Sequence, residues 1–257
     1  MAANDFSGKI GIVTGAAGGI GEALTLALAE SGATVAAVDV HDEPLRALER
    51  KAGSVTGFAA DVASAEAVES IVDQVEQTLG PISFLVNGAG VLRAAKALSL
   101  TAEDWAKTFS VNVDGVFHFS TAVARRMVPR RSGAIVTVAS NAASVPRMHM
   151  AAYGASKAAA TAFTKNLGLE LAEHGIRCNV VAPGSTDTPM LHQLWHDETG
   201  PASSLRGSLP EYRVGIPLGK FATPADIANA VLFLLSDNAS HITMHDLYVD
   251  GGAALGR

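Results

Sequence analysis

The chain has 257 residues, of which 48% are hydrophobic, and its length suits one large α/β domain as well as two small ones. A formal net charge of -6 at pH 7 argues against a nucleic-acid-binding surface, and the lone Cys178 excludes an intrachain disulfide or a thiolate metal cluster. Because the sequence has neither a signal-peptide pattern nor an apolar run of membrane length, we expect a cytoplasmic protein without a membrane or nucleic-acid partner.

Apolar runs typical of buried strands alternate with helical patterns along the whole chain. In chain order, the predicted elements are strand Lys9–Thr14, a helix to about Ser31, strand Ala33–Val38, a helix from Glu43, strand Ser54–Ala59, helix Ser64–Leu79, strand Ile82–Val86, helix Trp105–Arg130, strand Ala134–Ala139, helix Ala152–His174, strand Arg177–Val181, helix Pro224–Ser236 and strand Asp246–Val249. This alternation predicts one α/β domain over residues 1–257, with a parallel sheet of about seven strands and helices on both faces.

One segment, residues 185–219, interrupts the alternation and is rich in Gly, Ser and Pro. It follows a predicted strand, at the edge where open α/β sheets bind ligands. We therefore predict a substrate lid with short helices around Leu191 to Trp195. Within it, Met190, Leu194 and Trp195 are candidates to cover a small flat ring, although the same side chains could pack the lid onto the core.

The turn after the first predicted strand has the pattern G-x-x-x-G-x-G, formed by Gly15, Gly19 and Gly21 with Ile20 between the last two. Small residues there let backbone amides and a helix N-terminus approach a pyrophosphate. A plain glycine-rich turn would have the same composition. The preceding strand and the following helix favour a dinucleotide site.

Acidic and amide side chains follow the next strands. Asp39 ends the second strand, where a carboxylate accepts hydrogen bonds from adenosine ribose hydroxyls and repels a 2′-phosphate. Residues 16–18, 40 and 41 include no Arg or Lys, so we predict NAD rather than NADP; the alternative is an ordinary turn carboxylate. Asp61 and Val62 follow the third strand and are predicted to contact the adenine. The turn from Asn87 to Gly90 follows the fourth strand and leaves room for the adenosine side.

Tyr153 and Lys157 lie four residues apart in Y-G-A-S-K, on one face of a predicted helix. A phenol ionises near pH 10 by itself, so it needs a nearby cation to act as a base at neutral pH. At ~4 Å and an effective dielectric of about 20 the pair would interact by roughly 4 kcal/mol, which predicts a lowered tyrosine pKa. The Y-x-x-x-K pattern alone is common on surface helices, so its companions decide its meaning.

Several motifs occur together in a fixed order. They are the glycine turn, Asp61, the N-x-A-G turn from Asn87 to Gly90, Asn112, Ser140, Tyr153, Lys157 and Pro183-Gly184. In this order and spacing the chain resembles the short-chain dehydrogenase/reductase family over nearly its whole length, which implies a single-domain Rossmann fold. Gly88 is a departure, because the family usually has Asn there; it loosens one turn contact without touching the chemistry.

The resemblance implies a role for each motif residue. Ser140 would hold the substrate oxygen, and Tyr153 would exchange the proton. Lys157 would lower the tyrosine pKa and bind the nicotinamide ribose, and Asn112 would hold a water that links Lys157 to solvent. Contacts to the cofactor are also implied for Pro183, Gly184, Thr186 and Thr188, the last as an anchor of the nicotinamide carboxamide.

Longer stretches carry a narrower resemblance: D-F-S-G-K, G-V-L-R, V-T-V-A-S-N-A-A, P-R-M-H-M-A-A-Y-G-A-S-K, R-C-N-V-V-A-P-G-S-T-D-T, G-I-P-L-G-K and S-H-I-T-M-H-D-L-Y-V-D-G-G. They are similar to the members that oxidise 2,3-dihydro-2,3-dihydroxybenzoate to 2,3-dihydroxybenzoate in catechol siderophore biosynthesis. Asn141 stands where some of them have Asp. In that reaction Tyr153, as phenolate, would remove a ring hydroxyl proton while hydride leaves the same carbon for NAD. Membership also implies a homotetramer.

The substrate leaves alternatives open. The closest is a trans-2,3-dihydro-3-hydroxyanthranilate dehydrogenase of secondary metabolism, which would share every motif. Ketoacyl and sugar reductases are weaker candidates, because they commonly use NADP and Asp39 opposes it. An NAD-sensing regulator without catalysis is weaker still, because all four catalytic positions are intact. No metal pattern such as H-E-x-x-H is present among the eight His residues.

Two arginines are candidate ligands for a substrate carboxylate, because a guanidinium binds a carboxylate through two parallel hydrogen bonds. Arg147 lies between Ser140 and Tyr153, in the loop that borders the predicted reaction centre. Arg93 follows the N-G-A-G turn at the same rim. An ion pair at the rim or at a subunit interface is the alternative for each.

Overall fold

The computed structural model describes residues 5–195 and 197–256. Within them lie the strands β1 Ile10–Thr14, β2 Thr34–Asp39, β3 Val55–Ala59, β4 Ile82–Asn87, β5 Gly133–Val138, β6 Ile176–Pro183, β7 Gly207–Ser208, β8 Arg213–Val214 and β9 Asp246–Val249. Seven of them form a parallel sheet in the order β3-β2-β1-β4-β5-β6-β9, and β7 and β8 form a separate antiparallel pair. The predicted fold class, with its parallel sheet of about seven strands, is confirmed.

The helices of the described residues are α1 Gly19–Glu30, α2 Asp42–Lys51, α3 Ala65–Thr78, α4 Ala102–Phe109, α5 Gly115–Met127, α6 Ala151–Leu171, α7 Pro189–His192, α8 Gly200–Arg206 and α9 Pro224–Leu235. Buried residues of α1, α2 and α9 pack in one apolar cluster against the sheet. Those of α3, α5 and α6 pack in a second cluster. The two layers bury both faces of the sheet, which is why its strands read as continuous apolar runs.

The predicted helix Trp105–Arg130 is wrong in two respects. It begins earlier, at Ala102, because the Thr101 hydroxyl accepts a hydrogen bond from the Asp104 amide at 3.0 Å and caps the helix. It is also interrupted: a five-residue π-helical turn, Ser110–Asp114, separates α4 from α5. Such turns are frequent at functional sites, and this one carries Asn112.

The lid, residues 185–219 without residue 196, has more regular structure than the sequence predicts. A short helix starts where we expect one, but it ends at His192, before Trp195. The helix α8 and the hairpin of β7 and β8 were not predicted. No helix among the described residues is long and apolar enough to cross a membrane.

Candidate active site

The carboxyl ends of the central strands open into a cavity of about 450 Å³. Its walls come from the start of α1, the segments that follow β4, β5, β6 and β9, the start of α6 and the lid. The predicted site residues that line it are Ile20, Gly90, Ser140, Arg147, Tyr153, Lys157, Pro183, Gly184, Thr186, Thr188 and Met190. The parallel topology brings these residues together, because strand ends that are far apart in sequence share one edge of the sheet.

The glycine turn is built by close backbone approach. Gly15 has φ of +68°, in the left-handed region, and its carbonyl accepts from the Gly18 amide at 3.1 Å. A Cβ on Gly21 would overlap that same carbonyl oxygen. On the outer side, a Cβ on Gly19 would lie 3.0 Å from Cγ2 of Thr188 in the lid. The start of α1 therefore meets the lid closely at Gly19, and a side chain there would press against Thr188.

Asp39 is held against the glycine turn at the end of β2. Its Oδ2 accepts from the Ala17 amide at 3.0 Å, and its Oδ1 accepts from the His41 amide at 3.1 Å. The His41 ring Nδ1 lies 2.9 Å from the same Oδ1. The carboxylate, whose side chain is 11% exposed, is therefore fixed at the position that the sequence analysis assigns to the adenosine ribose.

Asp61 follows β3 and lies near the same edge. The Ala63 amide donates to it at 2.9 Å and Lys107 Nζ lies 3.4 Å from its other oxygen. The Ala63 hydrogen bond, helped by the Lys107 charge, holds the pKa of Asp61 below its usual value. The neighbouring Val62 is buried against Gly115 at the start of α5. An acceptor that stays ionised is thus available for an adenine amino group.

Asn87 supports the turn after β4 from within the protein. Its amide nitrogen donates to Ser120 Oγ at 2.9 Å and to Thr137 Oγ1 at 3.2 Å. Its Oδ1 is buried without a partner in the described residues. The turn itself is held by Thr14, whose hydroxyl accepts from the Gly88 amide at 3.1 Å. The Asn87 side chain therefore lies behind the cavity wall and is not among the residues that line it.

Gly88 lies where the backbone of β1 comes close. A Cβ at this position would lie 2.6 Å from the Thr14 carbonyl oxygen. The departure from the usual Asn goes with a close approach between β1 and the turn after β4. Gly90, two residues on, leaves room for the Lys157 ammonium, since a Cβ there would lie 3.2 Å from Lys157 Nζ.

Asn112 lies in the π-helical turn and is completely buried. Its Oδ1 accepts from the Val91 amide at 2.8 Å, and its Nδ2 donates to the Val91 carbonyl at 3.0 Å. Nδ2 also donates to Ser156 Oγ at 3.0 Å, one residue before Lys157. The asparagine therefore joins the segment after β4 to α6, and its role toward a water stays a prediction.

Tyr153, Ser140 and Lys157 lie together at the cavity floor. Lys157 Nζ is 5.9 Å from the centre of the Tyr153 ring and donates to the Val138 carbonyl at 2.9 Å. The Ser140 hydroxyl forms a hydrogen bond with the Tyr153 phenol and accepts from the Ala142 amide at 3.1 Å. The helical spacing does bring phenol and ammonium to one place.

The predicted lowering of the tyrosine pKa is not what this structure gives. Burial raises the pKa of Tyr153, and the hydrogen bond from Ser140 offsets only part of that rise. Burial also lowers the pKa of Lys157 to about 8. The physical reason is shared desolvation: both charged forms lose water, and the ammonium bonds to a carbonyl rather than to the phenolate.

The two arginines predicted to bind a carboxylate have different positions. Arg147 lines the cavity, is half-buried, and donates to the Ala253 carbonyl at 3.4 Å. Arg93 is exposed, its Nε lies 3.9 Å from Asp104 Oδ1, and it is not part of the cavity wall. The structure therefore gives Arg93 the rim ion pair that was its alternative. A third arginine, Arg213 on β8, lines the cavity and was missed, because nothing in its sequence context marks it.

The lid residues divide in the same way. Met190 and Leu194 line the cavity. Trp195 packs within the lid instead: its Nε1 donates to Ser204 Oγ at 3.1 Å and its ring lies 4.6 Å from that of His192. His149 lines the cavity too, in a left-handed conformation with φ of 64°.

Asn141 closes the polar side of the site. Its Nδ2 donates to Asp250 Oδ2 at 3.1 Å, and both residues are buried. Asp250 Oδ1 accepts from the Gly252 amide at 3.0 Å, so the pair ties the segment after β5 to the segment after β9. An amide rather than a carboxylate at position 141 avoids placing two buried negative charges side by side.

The residues present fit a dinucleotide. Ile20, at the N-terminus of α1, lines the cavity, and a Cβ on Gly19 or on Gly90 would take up space beside Thr188 or Lys157. Asp39 ends the adjacent strand β2 and accepts from the Ala17 amide of the glycine turn, and Lys157 and Thr188 line the cavity. This arrangement joins an anion-binding helix end, a carboxylate acceptor and a buried phenol beside an ammonium.

Comparison with known proteins agrees with this chemistry. The sequence model of the family described as enoyl-(acyl carrier protein) reductase matches residues 15–254. The chain is 54% identical to 2,3-dihydro-2,3-dihydroxybenzoate dehydrogenase of Bacillus subtilis (strain 168), over 100% of both chains. It is 45% identical to the vibriobactin-specific 2,3-dihydro-2,3-dihydroxybenzoate dehydrogenase of Vibrio cholerae serotype O1, over 95% of each.

A crystal structure of ribose-5-phosphate isomerase from Brucella melitensis 16M is similar to the chain, with a TM-score of 0.88 and 32% sequence identity. The match covers 97% of this chain and 93% of that one. Similarity over this length shows that the two chains share one fold.

Proposed function

Because the chain belongs to the short-chain dehydrogenase/reductase family, an oxidoreductase family that acts on CH–OH groups with nicotinamide cofactors, we propose that it is the NAD-dependent dehydrogenase of 2,3-dihydro-2,3-dihydroxybenzoate. The product is 2,3-dihydroxybenzoate, and the pathway is catechol siderophore biosynthesis. The proposal combines full-length identity of 54% to a protein of that name with a site whose chemistry suits a small ring acid.

The observation that carries the proposal is the juxtaposition at the cavity floor. Ser140, Tyr153 and Lys157 meet on one side of the cavity, and half-buried guanidinium groups line it elsewhere. The first group suits proton removal from a carbinol. The second suits an anionic substituent on the same small molecule. A neutral sugar or a long acyl chain would need no buried cation here.

The proposed cofactor residues are those of the glycine turn, Asp39, Asp61, Lys157 and the segment from Pro183 to Thr188. Asp39 favours NAD over NADP, because its fixed carboxylate would repel a 2′-phosphate and its neighbours His41 and Ala17 offer no permanent cation. When bound, the oxidised nicotinamide supplies the acceptor for the hydride. Thr188, whose side chain lies beside Gly19, would hold the carboxamide side.

The residues of the chain act on the proton. Ser140 holds the ring hydroxyl, and Tyr153 as phenolate takes the proton from that oxygen while the C–H bond of the same carbon breaks with its electron pair. The resulting ring ketone loses a ring proton and gains one on oxygen, which gives the catechol. Positioning and preorganised electrostatics provide most of the rate. Aromatisation makes the oxidation strongly favourable.

The test supplies the dihydrodiol acid with NAD and follows NADH absorbance, beside trans-2,3-dihydro-3-hydroxyanthranilate as a competing substrate. We expect NADH formation with the dihydrodiol acid and a higher kcat/KM than with the amino compound. Failure of the wild-type protein to form NADH, or a preference for the amino compound, would contradict the proposed substrate.

We also propose a cytoplasmic homotetramer. Two exposed apolar residues support the assembly: Phe117 on α5 is 48% exposed and Leu169 on α6 is 66% exposed. Both lie on the helices that this family uses between subunits. The buried thiol of Cys178 suits a reducing compartment. Light scattering after size exclusion should give four times the chain mass, and a monomer would contradict the assembly.

A further inference from the structure

A second guanidinium, that of Arg213, lines the same cavity as Arg147, and the two come from separate parts of the chain. Arg213 belongs to β8, in the lid hairpin, and directly follows Tyr212, whose φ is 50°. Arg147 belongs to the loop between β5 and α6, which carries Ser140 near its start and leads into the first turn of α6, where Tyr153 lies. One cation is thus on the lid and the other on the reacting side of the cavity.

Neither guanidinium forms an ion pair with a carboxylate in the described part of the chain. Arg147 Nη2 donates to the Ala253 carbonyl at 3.4 Å, and Arg213 Nη2 donates to Ser185 Oγ at 3.0 Å. An arginine has five N–H groups, so most donors of both remain available. The nearest buried carboxylate, Asp250, is already bonded to Asn141 and to the Gly252 amide.

The two cations also disfavour one another. Burial lowers the pKa of both arginines, and the charge of Arg213 lowers that of Arg147 further. Two half-buried positive groups in one cavity are costly unless an anion enters between them. Glu211, in the turn between β7 and β8, also lines the cavity. Its charge raises the pKa of Arg213, but the two side chains do not form an ion pair.

We propose that Arg213 and Arg147 together bind the carboxylate of the substrate, so that the carboxylate joins the lid to the loop that bears Ser140. This rests on the proposed function, because it takes the substrate to be a ring acid. Arg213 is then a specificity-determining residue. It sets the ring at a fixed distance from Ser140 and Tyr153, and it couples substrate binding to the position of the lid.

Loss of either arginine should therefore weaken only ligands that carry the carboxylate. Removing one charge-assisted pair should cost an acid ligand about 1.5–3 kcal/mol, which is roughly a 10- to 100-fold change in its Kd. A ligand with the same ring and no carboxylate should lose almost nothing. A merely structural arginine would instead weaken both ligands together, through the lid.

The experiment measures Kd by calorimetry for 2,3-dihydroxybenzoate and for catechol, with saturating NADH, so that binding is read without turnover. The variants are Arg213→Gln, Arg213→Lys and Glu211→Gln, and the matched control is Arg206→Gln, an exposed arginine of the lid outside the cavity wall. Thermal melts establish that each variant is folded.

We expect Arg213→Gln to weaken the acid about 10- to 100-fold and catechol less than about 3-fold, Arg213→Lys to recover part of the loss, and Arg206→Gln to change neither. Equal losses for acid and catechol in Arg213→Gln, or no loss for the acid, would overturn the inference. The inference would also be overturned if Glu211→Gln showed the same losses as Arg213→Gln, since the effect of Arg213 would then come from its interaction with Glu211.

This readout separates the inference from the proposed function. In one outcome, the wild-type protein binds the acid more tightly than catechol because of Arg213 but forms no NADH from the dihydrodiol acid. That result would support the carboxylate site and contradict the proposed reaction. In the opposite outcome, the wild-type protein oxidises the dihydrodiol acid but Arg213→Gln still binds the acid in full preference to catechol. That result would support the proposed reaction and contradict the carboxylate site.

Discussion

Lys157 Nζ lies 5.9 Å from the centre of the Tyr153 ring, and its nearest hydrogen-bond acceptor is the Val138 carbonyl at 2.9 Å rather than the phenol oxygen. The ammonium therefore lies near the Tyr153 ring and donates to the backbone instead of to the phenol. Burial favours the neutral form of both groups. It raises the pKa of the Tyr153 phenol and lowers the pKa of Lys157 to about 8. This relation underlies the first two predictions below.

Tyr153→Phe removes the proton acceptor and leaves the ring packing in place. We expect dehydrogenase kcat to fall by about 10²- to 10⁴-fold, with NADH binding and the melting temperature nearly unchanged. Because burial raises the pKa of the phenol, wild-type activity should rise with pH above neutrality. Stopped-flow NADH formation between pH 6 and about pH 10 checks both. A Phe variant with full activity would refute the mechanism.

Comparing the wild type with Lys157→Met should show how Lys157 makes the stability of the protein depend on pH. The folded-state pKa of about 8 lies below the ordinary 10.5, so between these values the unfolded chain binds a proton that the folded chain lacks. Raising the pH through this window therefore favours the folded state of the wild type. Relative to Lys157→Met, the free energy of unfolding should rise with pH by up to about 3 kcal/mol.

Urea denaturation at fixed protein concentration measures that difference, and Lys96→Met, at an exposed lysine, is the control with no comparable trend. Equal pH profiles for the wild type and Lys157→Met would show that the lysine keeps its ordinary pKa when folded. Lys157→Met should also lose most activity, since the phenolate then lacks its cation.

Asp39→Asn tests cofactor choice. The carboxylate accepts from the Ala17 and His41 amides, and we expect its ribose contact to contribute about 1.5–3 kcal/mol. The kcat/KM for NAD should therefore fall by roughly 10- to 100-fold, while that for NADP holds or rises because the repulsion of a 2′-phosphate is gone. Asp42→Asn, at the exposed partner of Arg46, is the control. An unchanged NAD preference would remove Asp39 from the site.

Gly21→Ala should disrupt the start of α1. The added Cβ overlaps the Gly15 carbonyl oxygen, which is backbone and cannot move aside cheaply. We expect a loss of about 1–3 kcal/mol in the free energy of unfolding and weaker NAD binding. Gly53→Ala is the matched control, because nothing lies within 4 Å of its Cβ. If both variants melt together with the wild type, the close approach is not as tight as described.

Local sequence signals were sufficient for the sheet and for the order of the site. Parallel strands buried on both faces are continuous apolar runs, so each predicted strand of the seven-stranded sheet is present in the structure within two residues at its ends. The 3.6-residue spacing of apolar side chains that predicts a helix is an equally local signal. The α4–α5 break escaped notice, because a π-helical turn such as Ser110–Asp114 leaves the apolar pattern almost unchanged.

What the amino-acid sequence alone determined was therefore the fold class, the family and the list of polar residues at the strand ends. Only the tertiary structure decided which of those residues share a cavity: Arg147 and Arg213 line it, Arg93 pairs with Asp104, and Trp195 packs within the lid. The direction of the Tyr153 pKa was likewise a tertiary property. Local patterns record which side chains are apolar, whereas the convergence and desolvation of site residues depend on segments that are far apart in the sequence and meet only when the chain is folded.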